Sequence, residues 1–409
     1  MKFTEALSIA DLRMLAKRRL PRVVFEVIES GTEDEFALPR NEAAFRDYQL
    51  WPRYLVDVSR IERGKTLFGR RYAAPFGMAP TGFAGLFRKE ADSMMACAAA
   101  DADIPFILSG ASIEPLERVA AAAPDHVWCH LYPARDRAIT TDLVKRAADC
   151  GREVLVLTVD NPVYPNRERD TRNRFGKPVW QQKWSTLIEA ATHFGWVTEY
   201  LRRGGFPRME NWSRYAPPGA SGPAVAAFFR SQSPSIVTWR DLETFRALWP
   251  GKLVLKGLQH SEDARRAAEA GIDGIIVSNH GGKAHDPLPA PLHSLPGIRA
   301  AVGPEMPVMI DSGIRRGSDI VIAACLGADF SFVGRPMLYG VTAGGTDGTL
   351  KAIDILKREI DLSLALIGCP VFDDLNAGFL FKPEALNTPP TREAAPVSLK
   401  VLTQSRNSV

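Results

Sequence analysis

A histidine closes an apolar run in this chain: residues 274–278 (Gly, Ile, Ile, Val, Ser) lead into Asn279, His280, Gly281, Gly282 and Lys283. A buried strand that stops at an imidazole and two glycines puts a proton acceptor where a flat group can approach the backbone. Histidine is the side chain whose charge changes near neutral pH. Asp160, at the end of another apolar run, reads as a carboxylate that holds His280 in one tautomer and stabilises its cation. The rival reading is a turn cap in Asp160, Asn161, Pro162. Tyr132 suits a substrate oxygen, or a core position with its hydroxyl satisfied. Lys256 ends a further apolar run, where an unpaired ammonium is costly. It reads as a cation beside an electron-accepting ring, with a Schiff-base amine or a salt bridge to a core carboxylate as alternatives. His126, His193, His260, His285 and His293 lack such placement and read as surface or loop residues.

The elements that must position these groups are short apolar runs at 75–79, 105–109, 127–132, 154–160, 253–256, 274–278, 307–311 and 330–334. Amphipathic helical stretches separate them. Such alternation implies parallel strands joined by helical crossovers, and eight units imply a closed (β/α)8 TIM barrel. Active sites of that fold lie at the C-terminal strand ends. The polar residues gather there: Ala79, Pro80 and Thr81; Ser109; His130 and Tyr132; Thr158 and Asp160; Lys256; Ser278 and His280; Asp311, Gly313 and Arg315; Gly334 and Arg335. Loops after the seventh and eighth strands are the usual phosphate cradle. Their glycines admit an anion to the backbone, and Arg315 and Arg335 add bidentate charge. No GxGxxG follows the first strand and no GxxxxGK[ST] occurs, which leaves Rossmann and P-loop readings without support.

One domain is expected over 1–386, with 1–73 as a helical N-terminal cap, 161–235 as an insertion after the fourth strand, and 387–409 as a flexible tail. Loops as long as this insertion are usually functional. It carries Trp180, Trp184, Phe194, Trp196, Tyr200, Phe206, Trp212, Phe228 and Phe229 beside Lys177, Lys183, Arg202, Arg203 and Arg208. It reads as an active-site lid with a subunit contact. A second reading is a peripheral membrane patch over 177–215.

The 409 residues are 45% hydrophobic and 24% charged, an ordinary globular composition. The formal net charge of +4 does not argue for nucleic acid. No apolar run is long enough to span a membrane, and the N-terminus has no leader-like apolar region. The five cysteines are scattered without a CxxC pair, so no metal site or disulfide framework is expected. A cytoplasmic location is expected, with peripheral attachment to the inner face of the membrane as the variant.

The motifs together resemble the FMN-dependent 2-hydroxy acid oxidase and dehydrogenase family, whose members include glycolate oxidase, L-lactate dehydrogenase and (S)-mandelate dehydrogenase. The similarity runs from about residue 10 to about residue 385. It is carried by Ser30 to Glu35, Ala79 to Gly82, Leu131 with Tyr132, Leu157 to Asp160, Arg167 to Asp170 with Asn173 to Phe175, Leu255 to Gly257, Ser278 to Gly282, Asp311 to Asp319, and Gly334 with Arg335. The insertion and the stretch 167–175 look most like mandelate dehydrogenase. The resemblance implies FMN at the strand tips. Ala79, Pro80 and Thr81 would line the flavin, Ser109 and Thr158 would bond its ring, and His130 would stand beside it where relatives often have Gln. Lys256 would face the N1/O2 edge and Ser278 would contact the cofactor. Asp311, Gly313, Arg315, Gly334 and Arg335 would hold ribityl and phosphate. His280 would take the hydroxyl proton while the α-hydrogen passes to flavin N5 as hydride; Tyr132 and Arg167 would face substrate.

Three substrate positions depart from the family pattern. Lys283 stands where relatives have a carboxylate-clamping Arg, and a point charge cannot make the two parallel bonds of a guanidinium. Val27 stands where they have a carboxylate-binding Tyr, and Ala111 replaces a bulky pocket residue of some members. The expected substrate is therefore a bulky or aromatic (S)-2-hydroxy acid, oxidised to the 2-oxo acid. The alternative is a secondary alcohol, ester or modified natural product without a free carboxylate. Oxygen, a quinone or a cytochrome would accept the electrons, and relatives suggest a homotetramer.

Overall fold

The computed structural model describes residues 1–177 and 179–381; the expected tail at 387–409 lies outside them. Two short strands come first, β1 (Lys65–Leu67) and β2 (Arg70–Tyr72), an antiparallel hairpin. Eight parallel strands follow: β3 (Phe76–Met78), β4 (Phe106–Leu108), β5 (Val127–Leu131), β6 (Val154–Thr158), β7 (Lys252–Leu258), β8 (Gly274–Val277), β9 (Val308–Ile310) and β10 (Phe330–Val333). They pair in sequence order and close through β10 and β3. Seven of the eight apolar runs contain one of these strands, and the run 253–256 lies within β7. Strands buried on both faces read as continuous apolar runs rather than alternating ones, which is why composition alone located them.

Inside the barrel, Ile107, Trp128, Val156, Val254, Ile276, Met309, Phe330 and Phe332 form one packed cluster. Its floor is the β1–β2 turn, where Phe68 reaches Trp128 with ring centroids 5.6 Å apart. The opposite end is left for polar side chains. Helices such as Ala91–Asp101, Arg137–Asp149, Ser261–Glu269 and Gly317–Cys325 cover the outside.

Two additions shape the open end. The N-terminal helices Ile9–Arg19 and Arg22–Glu29 precede a loop that crosses the strand tips, with Thr32 N–H donating to the Gly282 carbonyl. The insertion contributes helices Glu168–Arg172, Trp184–Ala191, Phe194–Arg202, Glu210–Ser213 and Gly222–Gln232. Its aromatic residues divide into three sets by exposure. Trp196 and Trp212 are buried, and their indole N–H groups donate to the carbonyls of Leu86 and Gly110. Tyr200, Phe206, Phe228 and Phe229 are half-buried. Trp180, Trp184 and Phe194 are exposed, together with Ile188 and Leu201. Buried indoles need a hydrogen-bond acceptor, and the barrel loops supply two.

Candidate functional site

His280 leaves the end of β8 in the left-handed region, φ 61°, followed by Gly281 (φ 65°) and Gly282 (φ 78°). That conformation is uncommon for a non-glycine residue, and such outliers persist where their surroundings hold them. Here His280 N–H donates to Ser278 Oγ at 3.0 Å. The ring is pinned on both sides. Its Nδ1 lies 3.0 and 3.2 Å from the two Asp160 oxygens, and its Nε2 lies 3.0 Å from the Tyr132 hydroxyl. A carboxylate only accepts, so Nδ1 carries the proton and Nε2 presents its lone pair to the Tyr132 O–H.

Asp160 follows β6 and His280 follows β8, so both flank the end of β7. There the strand bulges at Gly257, whose φ is 109°. A Cβ at that position would stand 2.5 Å from Asp160 Cβ, and only glycine lets the carboxylate come so near. Burial lowers the His280 pKa below the ordinary histidine value; Asp160 pulls it up and Lys256 adds to the lowering. The imidazole is therefore neutral near pH 7. Burial works against ionisation of Asp160, but the attraction and hydrogen bond of His280 outweigh it, and the Asp160 pKa falls. Burial and then Asp160 push the Tyr132 phenol up, so it stays protonated.

Lys256 is not alone. Its Nζ donates to Ser278 Oγ at 2.8 Å and pairs with Asp311 Oδ2 at 3.0 Å, with the two charged side chains 3% and 7% exposed. A salt bridge to a core carboxylate is present, and Lys256 lines the cavity as well. Asp311, expected to serve ribityl, is occupied by Lys256 and by the Ser312 hydroxyl at 2.8 Å. A charge pair this buried, with a further hydrogen bond to each side, escapes the penalty of an isolated ion.

Tyr132, His280, Lys256 and Asp311 line one cavity of about 730 Å³ at the strand tips, together with Ala79, Pro80, Thr81, Ala111, Arg167, Val27, Lys283, Gly313, Arg315, Gly334 and Arg335. Four other residues given a cofactor contact by the resemblance are not among those lining that cavity. Ser109 Oγ accepts the Ala111 N–H, and Ser278 is spent on Lys256 and His280. His130 Nδ1 accepts the Gly110 N–H at 3.1 Å, so its proton is on Nε2 and is donated to Thr158 Oγ1 at 2.6 Å. Burial and the charge of Lys256 hold the His130 pKa well down, so this imidazole is neutral. Thr158 thereby accepts from His130 and keeps its own hydroxyl hydrogen for another acceptor. The resemblance implies cofactor contact for these residues, and in the structure their polar atoms bond one another and neighbouring backbone and side chains.

The cradle after β9 and β10 has the donors a phosphate needs. Gly313 has φ 87°, and a Cβ there would stand 2.2 Å from the Asn41 carbonyl oxygen. Gly334 is open: a Cβ would meet nothing nearer than Thr81 Cγ2 at 3.5 Å. The helical segment Arg335–Ile367 starts beside it, and helix N-termini favour anions. Arg335 gives three N–H groups to the carbonyls of Ile28, Gly281 and Ser30. A guanidinium has five donors, so two are left for the cavity. Arg315 bonds Glu42 and the Ile314 carbonyl. A flat wall of Ala79, Pro80 and Thr81, buried cations at one edge and an open glycine at a helix start fit an aromatic ring system with a phosphate arm.

Lys283 and Arg167 stand on the substrate side. Lys283 lines the cavity, but its Nζ donates to the Val27 carbonyl at 2.7 Å and approaches Ser30 Oγ at 3.4 Å. Burial, with Arg335 and Arg167 nearby, pulls its pKa well below the ordinary lysine value. It ties the barrel to the N-terminal cap while lining the cavity. Arg167 has a buried Nε without a partner among the described residues. Phe175, Phe229, Arg174 and Arg230 also line the cavity. Sequence reasoning gave them no role in the pocket, because nothing local marks which faces of the insertion turn inward. The Gly281 N–H, bonded to Ser312 Oγ at 2.9 Å, is another link without a sequence signal.

The family profile of FMN-dependent dehydrogenases matches residues 16–382 of this chain. A putative L-lactate dehydrogenase of Mycobacterium tuberculosis is 38% identical over 374 residues, 91% of this chain and 88% of that protein. The (S)-mandelate dehydrogenase of Pseudomonas putida is 37% identical over 383 residues, 94% and 96% of the two chains. A crystal structure of monotopic membrane protein (S)-mandelate dehydrogenase superposes with a TM-score of 0.88 at 37% identity, covering 92% of this chain and 99% of the other.

Proposed function

This chain belongs to the FMN-dependent dehydrogenase family, and on that premise we propose that it oxidises a bulky or aromatic (S)-2-hydroxy acid to the 2-oxo acid with His280 as the base. The observation that carries the reading is the placement of His280: a neutral imidazole held at Nδ1 by Asp160, with Nε2 directed at the Tyr132 hydroxyl in the cavity. His280 Nε2 takes the proton of the substrate hydroxyl. The imidazolium so formed is stabilised by the Asp160 carboxylate, which holds the ring throughout. Tyr132 turns its O–H from His280 to the substrate oxygen. Arg167 faces the polar group on the neighbouring carbon. Ala111 and Phe229 leave room for a large side chain. Bound FMN supplies the acceptor for the hydrogen and electron pair that leave the carbinol carbon, and Ala79, Pro80, Thr81, Lys256, Gly313, Arg315, Gly334 and Arg335 would hold it. His280→Gln should leave a yellow protein whose flavin is not reduced anaerobically by any 2-hydroxy acid. Normal reduction by that variant overturns the assignment of the base.

A second substrate reading, a secondary alcohol, ester or natural product without a free carboxylate, is favoured by the withdrawal of Lys283 to the Val27 carbonyl. Oxygen, a quinone or a cytochrome is the expected electron acceptor, and a homotetramer is expected. For the insertion, exposed Trp180, Trp184, Ile188, Phe194 and Leu201 beside Lys183 and Arg202 support contact with a membrane surface. No helix among the described residues is long and apolar enough to cross a membrane. Co-sedimentation with anionic vesicles that is lost on Trp180→Ser with Trp184→Ser supports the contact; sedimentation unaffected by the pair counts against it.

A further inference from the structure

The cavity does not end at the reacting groups. Tyr132, bonded to His280 Nε2, meets Phe229 edge-on with ring centroids 6.3 Å apart. The next residue of that helix, Arg230, carries its guanidinium to 3.7 Å from where a Cβ on Gly176 would stand, which brings it beside the 174–177 segment. Phe175 of that segment packs edge-on against Phe83 and Phe206, at 6.0 and 6.1 Å. Phe175 and Phe229 thus make apolar walls for a channel, and Arg174, Lys177 and Arg230 stand exposed at its mouth. Elsewhere on this segment Arg169 and Arg172 are paired with Glu35 and Glu168. Arg174, Lys177 and Arg230 have no carboxylate partner among the described residues. Of the two acids that line the cavity, Asp311 is paired with Lys256, which leaves Asp170 against three mouth cations and Arg167.

Near the reacting carbon Lys283 Nζ is bonded to the Val27 carbonyl, and Arg167 is the other cation lining the cavity. At the far end charge is in excess. We propose that the substrate has an apolar arm ending in an anionic group, a carboxylate or phosphate, and that Arg174, Lys177 and Arg230 hold that distal anion. The inference rests on the hydroxy-acid reading above and adds which substrates the site prefers. Clefts lined by one sign of charge with low-dielectric walls concentrate ligands of the opposite sign.

The test is a matched pair: (S)-mandelate with a para-carboxymethoxy arm, and the same compound with the arm capped as its amide. Anaerobic flavin reduction and calorimetric binding of each are measured on the full-length holoenzyme. The charged arm is expected to bind about five-fold or more tightly than the amide, with the ratio shrinking at high salt. In the Arg174→Ala, Lys177→Ala, Arg230→Ala triple variant the ratio should approach one. A ratio of one in the unaltered protein, or a ratio that survives the triple substitution, overturns the proposal. Failure of the function reading is separate: neither compound then reduces the flavin, while calorimetry still reports whether the mouth prefers the charged arm.

Discussion

Asp160→Asn separates the charge of that residue from its shape. The carboxylate receives the His280 Nδ1–H with its oxygens at 3.0 and 3.2 Å, and its side chain is 5% exposed. Asparagine fills the same space beside Gly257 and still offers one carbonyl oxygen, so the loss is electrostatic. A hydrogen bond to a charged group contributes about 1.5–3 kcal/mol. Realised on the imidazolium that forms as the substrate proton is taken, this slows reduction by about 10- to 150-fold. The pH profile gives a second readout. His280 works in its neutral form, and burial already places its pKa below 6.5, against the upward pull of Asp160. Reduction should therefore fall on the acid side with a midpoint below 6.5. Without the carboxylate the upward pull is gone, so the midpoint moves to still lower pH while the plateau drops. Stopped-flow reduction of the bound flavin across the acid range measures both, and visible absorbance checks that FMN is retained. A plateau within about twofold of the unaltered protein, or a midpoint that stays or rises, refutes the role given to Asp160.

Lys283→Arg together with Val27→Tyr should raise kcat/KM for small 2-hydroxy acids such as lactate by about tenfold, because a guanidinium and a phenol restore directed bonds to the carboxylate. Steady-state kinetics checks it, and no gain means that small acids are excluded by another feature of the pocket. A third expectation concerns Asp92, which is fully buried, accepts one bond from Ser112 Oγ at 2.7 Å, and has an unpartnered Oδ1. Burial raises its pKa from 3.8 to about 7, and Glu114 adds to the rise. The fold holds this proton where the unfolded chain has lost it, so its stabilisation is complete below 3.8 and is lost as pH rises towards about 7. The Tm difference between the protein and Asp92→Asn should therefore change over that window in favour of the variant as pH rises; a difference constant with pH contradicts the assignment.

The barrel was legible in the sequence because a parallel strand buried on both faces is an uninterrupted apolar run, and eight such runs separated by helical periods admit few arrangements. Once the barrel closes, all strand ends share one face. That is why Asp160 and His280, 120 residues apart in the chain, could be paired from their positions at strand tips. Where each polar tip residue points was decided by tertiary packing. Whether Lys283 serves substrate depends on the Val27 carbonyl, 256 residues away. The direction of the His130 ring depends on the Gly110 N–H and on Thr158 of the next strand. Lys256 found Asp311 two strands along the barrel, and Trp196 and Trp212 found carbonyls that drew them inward while Trp180 and Trp184 stayed outside. Local sequence carries the period and the chemistry of each side chain. The hydrogen-bond partner that fixes its direction comes from a segment brought near only when the chain has folded.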